Sequence, residues 1–486
     1  MANVTFPFPF PDHLITLMPE MIVAVLAMAL LLIDVFITKG SRMTAYLAIV
    51  TTVIAGVVTW SMQSSAGVTA FYGYFTFDSF AIYSKYLIYA GTAFGMLLSL
   101  EYMKDEVNPG EYYVLMLFAM LGMMLMVSAN NFIIMYLGLE LMALSVHVLV
   151  AYQREVLRSN EAALKYFILG ALSSGMLLYG VTFLYGVTGS FNFAEMGQAL
   201  MNSDESAHTA VMLGLVFLIA GLGFKVSMAP FHMWTPDAYE GAPTPVTAFM
   251  SVAPKVAGFA ILIRIVHDLL PAVQAEYEAI LTILAVLTII IGNLAAIAQR
   301  NIKRMLAYST IGHVGFIMMG LIAGTTEGFS AILVYLTIYL IMTMGVFAII
   351  ILMRRDGIQG ELLDDFAGLS KVRPGYALSM GLLLFSMAGI PFLGGFWAKY
   401  AVFMAAVEAG HVYLVLFALV FSAVGAFYYL RVVKYIYFDE ERVAFNFVES
   451  KPLQATVVAA AIGVVLLGVM PGPLMDVCKH ALGGLI

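Results

Sequence analysis

The charged residues of this sequence sit almost entirely in short loops between long apolar stretches, and that separation decides the solvent before anything else. Charged side chains make up 11% of the 486 residues and apolar ones 62%, with a mean hydropathy of +0.95. An ordinary soluble domain carries about 25% charged residues, and a chain this apolar cannot hide its surface from water. A soluble enzyme is excluded. At roughly 20 residues per crossing, apolar spans fall near 14–36, 43–62, 77–99, 111–128, 131–152, 159–188, 208–238, 244–268, 276–298, 303–323, 327–352, 374–409, 411–437 and 455–477. The fold class expected is therefore all-α, a polytopic membrane protein with fourteen transmembrane helices.

Two of these spans, 208–238 and 374–409, are too long for one plain crossing, and each carries an internal breaker. The first has Ser227-Met228-Ala229-Pro230; the second has Gly389-Ile390-Pro391 followed by Gly394-Gly395. Proline removes a backbone donor and clashes with the preceding turn, so both helices should be interrupted in mid-membrane. The opening MANVTFPFPFPDH has no basic region and no cleavage site, so the first span reads as a retained helix. The single cysteine, Cys478, excludes a disulfide scaffold and an iron–sulfur cluster held by this chain.

The basic residues give the orientation. Lys39, Arg42, Lys104, Arg154, Arg158, Arg300, Lys303, Arg304, Arg354, Arg355, Lys371, Arg373, Arg442 and Lys451 all fall in loops after odd-numbered spans. Arg431 and Lys434 lie at the same end of the thirteenth. The opposite loops hold none, and only Lys479 follows the last span. By the positive-inside rule the basic side is cytoplasmic and both termini face outward, which in a bacterial plasma membrane means the periplasm.

Six basic residues remain inside spans: Lys85, Lys165, Lys225, Lys255, Arg264 and Lys399. Each costs roughly 2.5–3.5 kcal/mol on insertion scales, on the order of 15–20 kcal/mol together if unrelieved. Partners, internal water or a functional return must exist. Glu140, near the middle of the fifth span, is the intramembrane acid best placed to answer them. Lys85 and Arg264 lie near the outer ends of their spans, where snorkelling is the default; Glu20 and Asp34 are expected to be solvated at the interfaces.

Spans four to eight and nine to thirteen read as two copies of one five-helix unit. The fourth member of each is the broken helix, with APFHMW at 229–234 and IPFLGGFW at 390–397. Adjacent copies with an odd number of helices must be inverted, the architecture of many secondary transporters. The division expected is three N-terminal helices over 1–110, repeat one over 111–268, repeat two over 276–437, and a C-terminal loop and helix over 438–486.

Burial disfavours the charge of a lysine and a nearby carboxylate restores it, so Glu140, Lys225 and Lys255 together could load and release a proton. The plain alternative is a static intramembrane ion pair. Lys399 follows the second break as Lys225 precedes the first; it is either a second ionisable site or a lysine snorkelling outward. Lys165 lies where it could reach the cytoplasm or join the relay. His313 falls on the expected route between Lys255 and Lys399, and imidazole is the side chain whose ordinary value lies near neutrality, though a packing histidine fits as well; His147 and His232 rank below it. The eight histidines form no metal motif. The 33 methionines read as packing material, and the run Gly170-Ala171-Leu172-Ser173-Ser174-Gly175 as close helix packing with no chemistry.

LGLELMAL (137–144), EAALKYFILGALSSG (161–175), GLGFKVSMAPFHMWTPDAYEGAPTPVTAFMSVAPK (221–255), NIKRMLAYSTIGHVGF (301–316) and AGIPFLGGFWAKY (388–400) resemble the antiporter-like membrane subunits of respiratory complex I. Lys399 and the 161–175 block resemble the NuoN type; the NuoM type carries a glutamate at the second break, and the NuoL type is longer. The resemblance implies that Glu140 pairs with Lys225, that Lys255 is the central lysine and Lys399 the terminal one. It further implies that Lys165 is an additional lysine of this type, His313 a bridging histidine, and Lys303 a matching position best read as an interfacial charge. It implies no cofactor on this chain, with NADH, FMN, iron–sulfur clusters and quinone held by partner subunits. The partners implied are NuoK-type and NuoM-type neighbours and the lateral helix of a NuoL-type subunit, in a bacterial plasma membrane rather than a mitochondrial one. The function expected is proton translocation coupled to quinone reduction elsewhere. The alternatives are a subunit of an Mrp-type cation/proton antiporter, a quinone-binding redox subunit and a structural scaffold.

Overall fold

In a computed structural model the described residues are 14–38, 42–104, 106, 109–354, 360–440, 447–448 and 450–485. They are nearly all helical. The Pro/Phe-rich opening and the loop cations Lys39, Arg355 and Arg442 lie outside the described residues. Among those described, eleven helical segments are long and apolar enough to cross a membrane by length and composition.

The chain begins with α1 (Met18–Ile33), α2 (Arg42–Ser61), a small antiparallel pair β1 (Val68–Ala70) and β2 (Phe75–Phe77), and α3 (Ser79–Tyr102). Next come α4 (Pro109–Ser128), α5 (Phe132–Val150), α6 (Leu157–Thr188), the short α7 (Phe193–Met201), α8 (His208–Val226), α9 (Trp234–Gly241) and α10 (Thr244–Arg264). The second half holds α11 (Gln274–Ile297), α12 (Ile302–Ala323), α13 (Thr326–Leu352), α14 (Pro374–Ala388), α15 (Gly394–Glu408), α16 (Val412–Phe438), α17 (Lys451–Val469) and α18 (Gly472–Leu482). Polar side chains start several of these: Asp78 caps α3, Asn131 caps α5, Asn301 caps α12 and Thr325 caps α13.

The core is formed by α12 and α13, whose apolar windows are 94% and 89% buried. By contrast α1 is mostly exposed, and its outward Val25 and Leu32, with Phe36 just beyond its end, belong to an apolar surface far larger than a monomer shows to water. Several helix pairs approach closely at glycine, α6 with α8 at Gly180 and α12 with α13 at Gly320 among them. A Cβ on Gly122 of α4 would meet the backbone of α5 at Gly138 and Met142, and one on Gly292 of α11 would meet Gly312 of α12.

Both long spans are interrupted where the sequence expects it. The first helix stops at Val226, and Ser227 turns into the left-handed region with φ 69°. The second stops at Ala388, Gly389 takes φ 90°, and α15 restarts at Gly394. The restart needs glycine, because a Cβ on Gly395 would coincide with the Ser386 carbonyl.

The outer-end charges do not snorkel. Lys85 is wholly buried and lies 2.6 Å from Glu20, which is only 2% exposed. Both sit beneath the hairpin, with Lys85 Nζ 5.0 Å from the Phe77 ring centroid. Arg264 is equally buried, with its guanidinium 2.8 Å from Asp78 and donating to the Val127 carbonyl at 3.0 Å. Asp34 is buried and accepts from Thr44 Oγ1 at 2.5 Å rather than facing solvent. The expectation failed because position along one helix does not show that a strand pair or a neighbouring helix covers it.

Removing one member of a buried ion pair costs about 3–5 kcal/mol, while replacing both with apolar groups is often neutral. Lys85→Met is therefore expected to lower the melting temperature of the purified protein clearly. Glu20→Leu combined with Lys85→Met should recover most of it, as read by thermal unfolding in detergent.

Candidate functional site

Opening a helix leaves carbonyls and amides without intrahelical partners, and the two breaks supply these to the buried lysines. At the first break the Trp234 indole donates to the Phe224 carbonyl at 2.9 Å, and Ala229 N donates to Thr288 Oγ1 of α11 at 2.9 Å. Lys255, from α10, reaches into this gap. Its Nζ donates to Ser227 Oγ at 2.6 Å and lies 3.5 Å from the Lys225 carbonyl, 5.0 Å from the Trp234 ring centroid. Thr235 Oγ1 donates to the same Ser227 hydroxyl at 2.7 Å.

Lys225 lies in the last turn of α8 with its Nζ 3.4 Å from Ser174 Oγ of α6, and Ser174 donates to Glu140 Oε1 of α5. The expected Glu140–Lys225 pairing thus runs through a hydroxyl, with no direct ion pair between them among the described residues. Ser174 belongs to the small-residue run read above as packing alone, and that reading is corrected: its hydroxyl joins the two ionisable groups.

At the second break Lys399 donates to the Ala388 carbonyl at 2.8 Å and to Ser422 Oγ of α16 at 2.9 Å. It is 7% exposed and sits 5.1 Å from the Phe316 ring centroid of α12. Three residues earlier along α12, His313 is held by two tyrosines: Tyr335 Oη of α13 lies 2.7 Å from Nδ1 and Tyr429 Oη of α16 lies 2.9 Å from Nε2. Tyr429 also bonds Ser309. The helices thus bring Glu140, Lys225 and Lys255 around one break, and His313 and Lys399 around the other.

Lys165 is not in this buried line. It is about half exposed at the basic end of the bundle, paired with Glu161 at 2.8 Å and Asp237 at 3.0 Å. There it joins an ionic cluster in which Arg304 binds Asp237 at 2.7 Å and Glu240 at 2.9 Å, and Arg158 binds Glu240 and Glu361, each at 3.1 Å. Lys303 is no interfacial charge: it is 2% exposed and holds Glu361 at 2.8 Å and the Ala242 carbonyl at 2.7 Å. Burial alone would raise the Glu361 carboxyl, but Lys303 and Arg158 hold it below the ordinary carboxylate value. The cluster ties α9 to α6, α12 and the segment at 361.

The residues missed from sequence are hydroxyls. Ser227 lies in the breaker itself, which is its signal in the sequence; Ser422, Tyr335 and Tyr429 carry no signal that separates them from other membrane hydroxyls. Among the described residues no group of three or more His, Cys, Asp or Glu is arranged to hold a metal ion.

Residues 129–425 match the family described as NADH:quinone oxidoreductase/Mrp antiporter, transmembrane. The chain is 45% identical over 477 residues to a protein of Thioalkalivibrio sulfidiphilus named NADH-quinone oxidoreductase subunit N, covering 98% of this chain and 99% of that one. Among solved structures, a chain of respiratory complex I from Thermus thermophilus is 33% identical with a TM-score of 0.81, covering 94% of this chain and 98% of its own. A chain of the Mrp complex from a Dietzia species has the same fold, with TM-score 0.83 at 21% identity and 97% of both chains covered.

The cluster at the basic end supplies a stability test. Glu361→Gln leaves Lys303 buried without its carboxylate, at a cost of about 3–5 kcal/mol. Since the Glu361 carboxyl lies below its unfolded value, its contribution is present above the unfolded pKa and lost as pH falls through the folded one. Thermal unfolding at neutral pH should show the destabilisation, and it should shrink as the buffer is made more acidic.

Proposed function

The chain belongs to the NADH:quinone oxidoreductase/Mrp antiporter transmembrane family, and from that membership we propose that it is the N-type proton-translocating membrane subunit of a proton-pumping NADH:quinone oxidoreductase. The observation that carries this reading is the seating of Lys255 and Lys399 on polar atoms at the helix breaks, with Lys225 joined through Ser174 to Glu140.

A buried ammonium is expensive; Lys255 and Lys399 are relieved at places that only an interrupted helix creates, and Lys225 by Ser174 and Glu140 of neighbouring helices. In the proposed relay a proton is held on Lys225 while Glu140, through Ser174, balances it. Movement of Glu140 or of its charge leaves Lys225 uncompensated, and the proton passes toward Lys255 and onward past His313 to Lys399. Ordered water would have to complete the gaps between these groups. The energy comes from quinone reduction in partner subunits, which are also where NADH, FMN, iron–sulfur clusters and quinone belong.

Fourteen crossings fit this reading: Thr244–Ile297 contains two helices, α3 is a further crossing of 24 residues, and α14 with α15 makes one interrupted crossing. The inverted repeat is supported by the paired glycine contacts of α4 with α5 and α11 with α12, and by a break in the fourth member of each unit. The division at 1–110, 111–268, 276–437 and 438–486 follows from it. With the basic end in the cytoplasm, both termini lie on the periplasmic side of a bacterial plasma membrane. The neighbours proposed are NuoK-type and NuoM-type subunits and a NuoL-type lateral helix.

An Mrp-type antiporter subunit is the second reading, favoured by the shared fold. The identity to complex I proteins over nearly the whole chain favours the first.

Lys225→Ala or Lys255→Ala is expected to lower quinone-linked proton pumping in proteoliposomes by about an order of magnitude or more, with the complex still assembled. Glu140→Gln should impair turnover and Glu140→Asp should retain part of it. Pumping unchanged by all of these replacements would refute the relay.

A further inference from the structure

The first break holds its own backbone only in part. Ser227 N donates to the Phe224 carbonyl at 3.1 Å and Met228 N to the Gly223 carbonyl at 2.8 Å, so the last turn of α8 answers both. Pro230 has no N–H to place. Ala229 N, which stands between them, is met from outside the broken helix, by Thr288 Oγ1 of α11 at 2.9 Å. Thr288 is wholly buried, and its own proton goes to the Leu284 carbonyl at 2.5 Å. A hydroxyl has one proton and two lone pairs. With the proton engaged inside α11, the oxygen that faces Ala229 is an acceptor of fixed direction.

The stretch of α11 that carries Thr288 has no slack. One turn on, a Cβ on Gly292 would collide with Gly312 N of α12, beside His313. A Cβ on Gly315 would lie 3.0 Å from Ile289 N, and Asn293 Oδ1 occupies the place that a Cβ on Gly425 of α16 would take. Helices that meet at glycine backbone cannot slide or rotate without a clash, so Thr288 is a fixed point. What hangs from it is the seat of a lysine. Ser227, two residues before Ala229, receives Lys255 Nζ at 2.6 Å and Thr235 Oγ1 at 2.7 Å. A shift of this backbone by about an ångström would carry the Ser227 hydroxyl out of hydrogen-bond reach of Lys255.

We propose that Thr288 is a positioning residue of the relay: by holding Ala229 N it keeps Ser227 where Lys255 needs it, although it belongs to α11 and not to the broken helix. The inference rests on the relay reading and adds a residue to it. Helix α11 opens the second of the two proposed repeats, so the seat of a lysine in the first is set from across their boundary. Lys225 has its partner in Ser174 of α6 and does not hang from this support. The effect of Thr288 is therefore specific to the Ser227–Lys255 contact, and that specificity is what distinguishes positioning from general packing.

The test measures NADH-driven proton pumping in proteoliposomes, per assembled complex. Thr288→Val keeps the shape of the side chain and removes the acceptor; it should lower pumping about three- to tenfold, the scale of one lost hydrogen bond. Thr288→Ser keeps the acceptor and should restore pumping close to the parental rate. Ser227→Ala should lower pumping at least as far as Thr288→Val, and the two combined should pump no worse than Ser227→Ala alone, because both act on one seat. A threonine that served packing only would give losses that multiply in the double variant. That result overturns the proposal, as does parental pumping in Thr288→Val or in Ser227→Ala. Thr288→Ala, with less bulk to fit, is read by the same comparisons where Thr288→Val assembles poorly. Failure of both to assemble also overturns the proposal, since the bond would then serve the fold. Lys255→Ala, run in parallel, separates the two claims. Lost pumping there with parental pumping in Thr288→Val removes the positioning role alone, and parental pumping in Lys255→Ala removes the relay itself.

Discussion

A lysine amino group in a membrane interior must find lone pairs that helices ordinarily keep to themselves, and the architecture of this chain is organised around supplying them. Ser227 and Ala388 stand where a continuous helix would have run on, and it is their hydroxyl and carbonyl that receive Lys255 and Lys399. The breaks in turn depend on neighbours. Thr288 of α11 bonds the backbone freed at Ala229, the Trp234 indole covers the Phe224 carbonyl, and the Ser386 hydroxyl accepts from Gly395 N. Without such substitutes the exposed backbone groups would each cost several kcal/mol in lipid. The burial of α12 and α13 fits the same demand, since α12 packs on α9 beside the first break and, with α13, on α15 beside the second.

The buried cations fall into two physical classes. Lys85, Arg264 and Lys303 each face a carboxylate within salt-bridge distance, from Glu20, Asp78 and Glu361. Such pairs are closed: removing the charge of one leaves the other stranded, so neither changes state readily. Lys255 and Lys399 are relieved instead by hydroxyls and carbonyls, and Lys225 meets its acid only through Ser174. The first class ties elements together, holding α1 to α3, α10 to the start of α3, and α12 to the segment at 361. In the proposed relay the second class is the one in which a proton comes and goes. The ionic cluster of Asp237, Glu240, Arg304 and Lys165 belongs with the ties, since it anchors α9, the basic-end half of the broken helix, to α6 and α12.

Much of this was legible in the chain itself. Apolar length gave a polytopic, nearly all-helical membrane chain, proline and glycine gave both breaks, and the resemblance of five blocks pointed to Glu140, Lys225, Lys255, His313 and Lys399, which the structure places near those breaks. Position along a helix was a poor guide to solvent. Lys85, Arg264, Glu20 and Lys303 all sit near helix ends, where exposure is the ordinary outcome, yet β1 and β2, Asp78 and Glu361 cover or pair them from distant parts of the sequence. Lys165 went the other way, to a half-exposed rim. Partner hydroxyls were illegible for a different reason: serine and tyrosine are common in membrane helices, and only the packing of α6, α13 and α16 selects Ser174, Tyr335, Tyr429 and Ser422.

That selection of hydroxyls has a consequence for how the site can work. A carboxylate only accepts hydrogen bonds, so it fits an ammonium and repels the lone pair of a neutral amine. A hydroxyl is both donor and acceptor. Ser227 and Ser422 accept from their lysines when these are charged, and by rotating the O–H can donate to the same nitrogen when it is not. Ser174 can likewise serve Glu140 in either of its states, as acceptor or as donor. His313, between Tyr335 and Tyr429, has a partner of this kind on each ring nitrogen, so both tautomers and the imidazolium keep two hydrogen bonds. The seats therefore remain satisfied through a change of charge, and no helix has to move merely to keep a buried polar atom bonded. What a conformational change must supply is only the bias between neighbouring seats, a far smaller demand than making and breaking buried ion pairs.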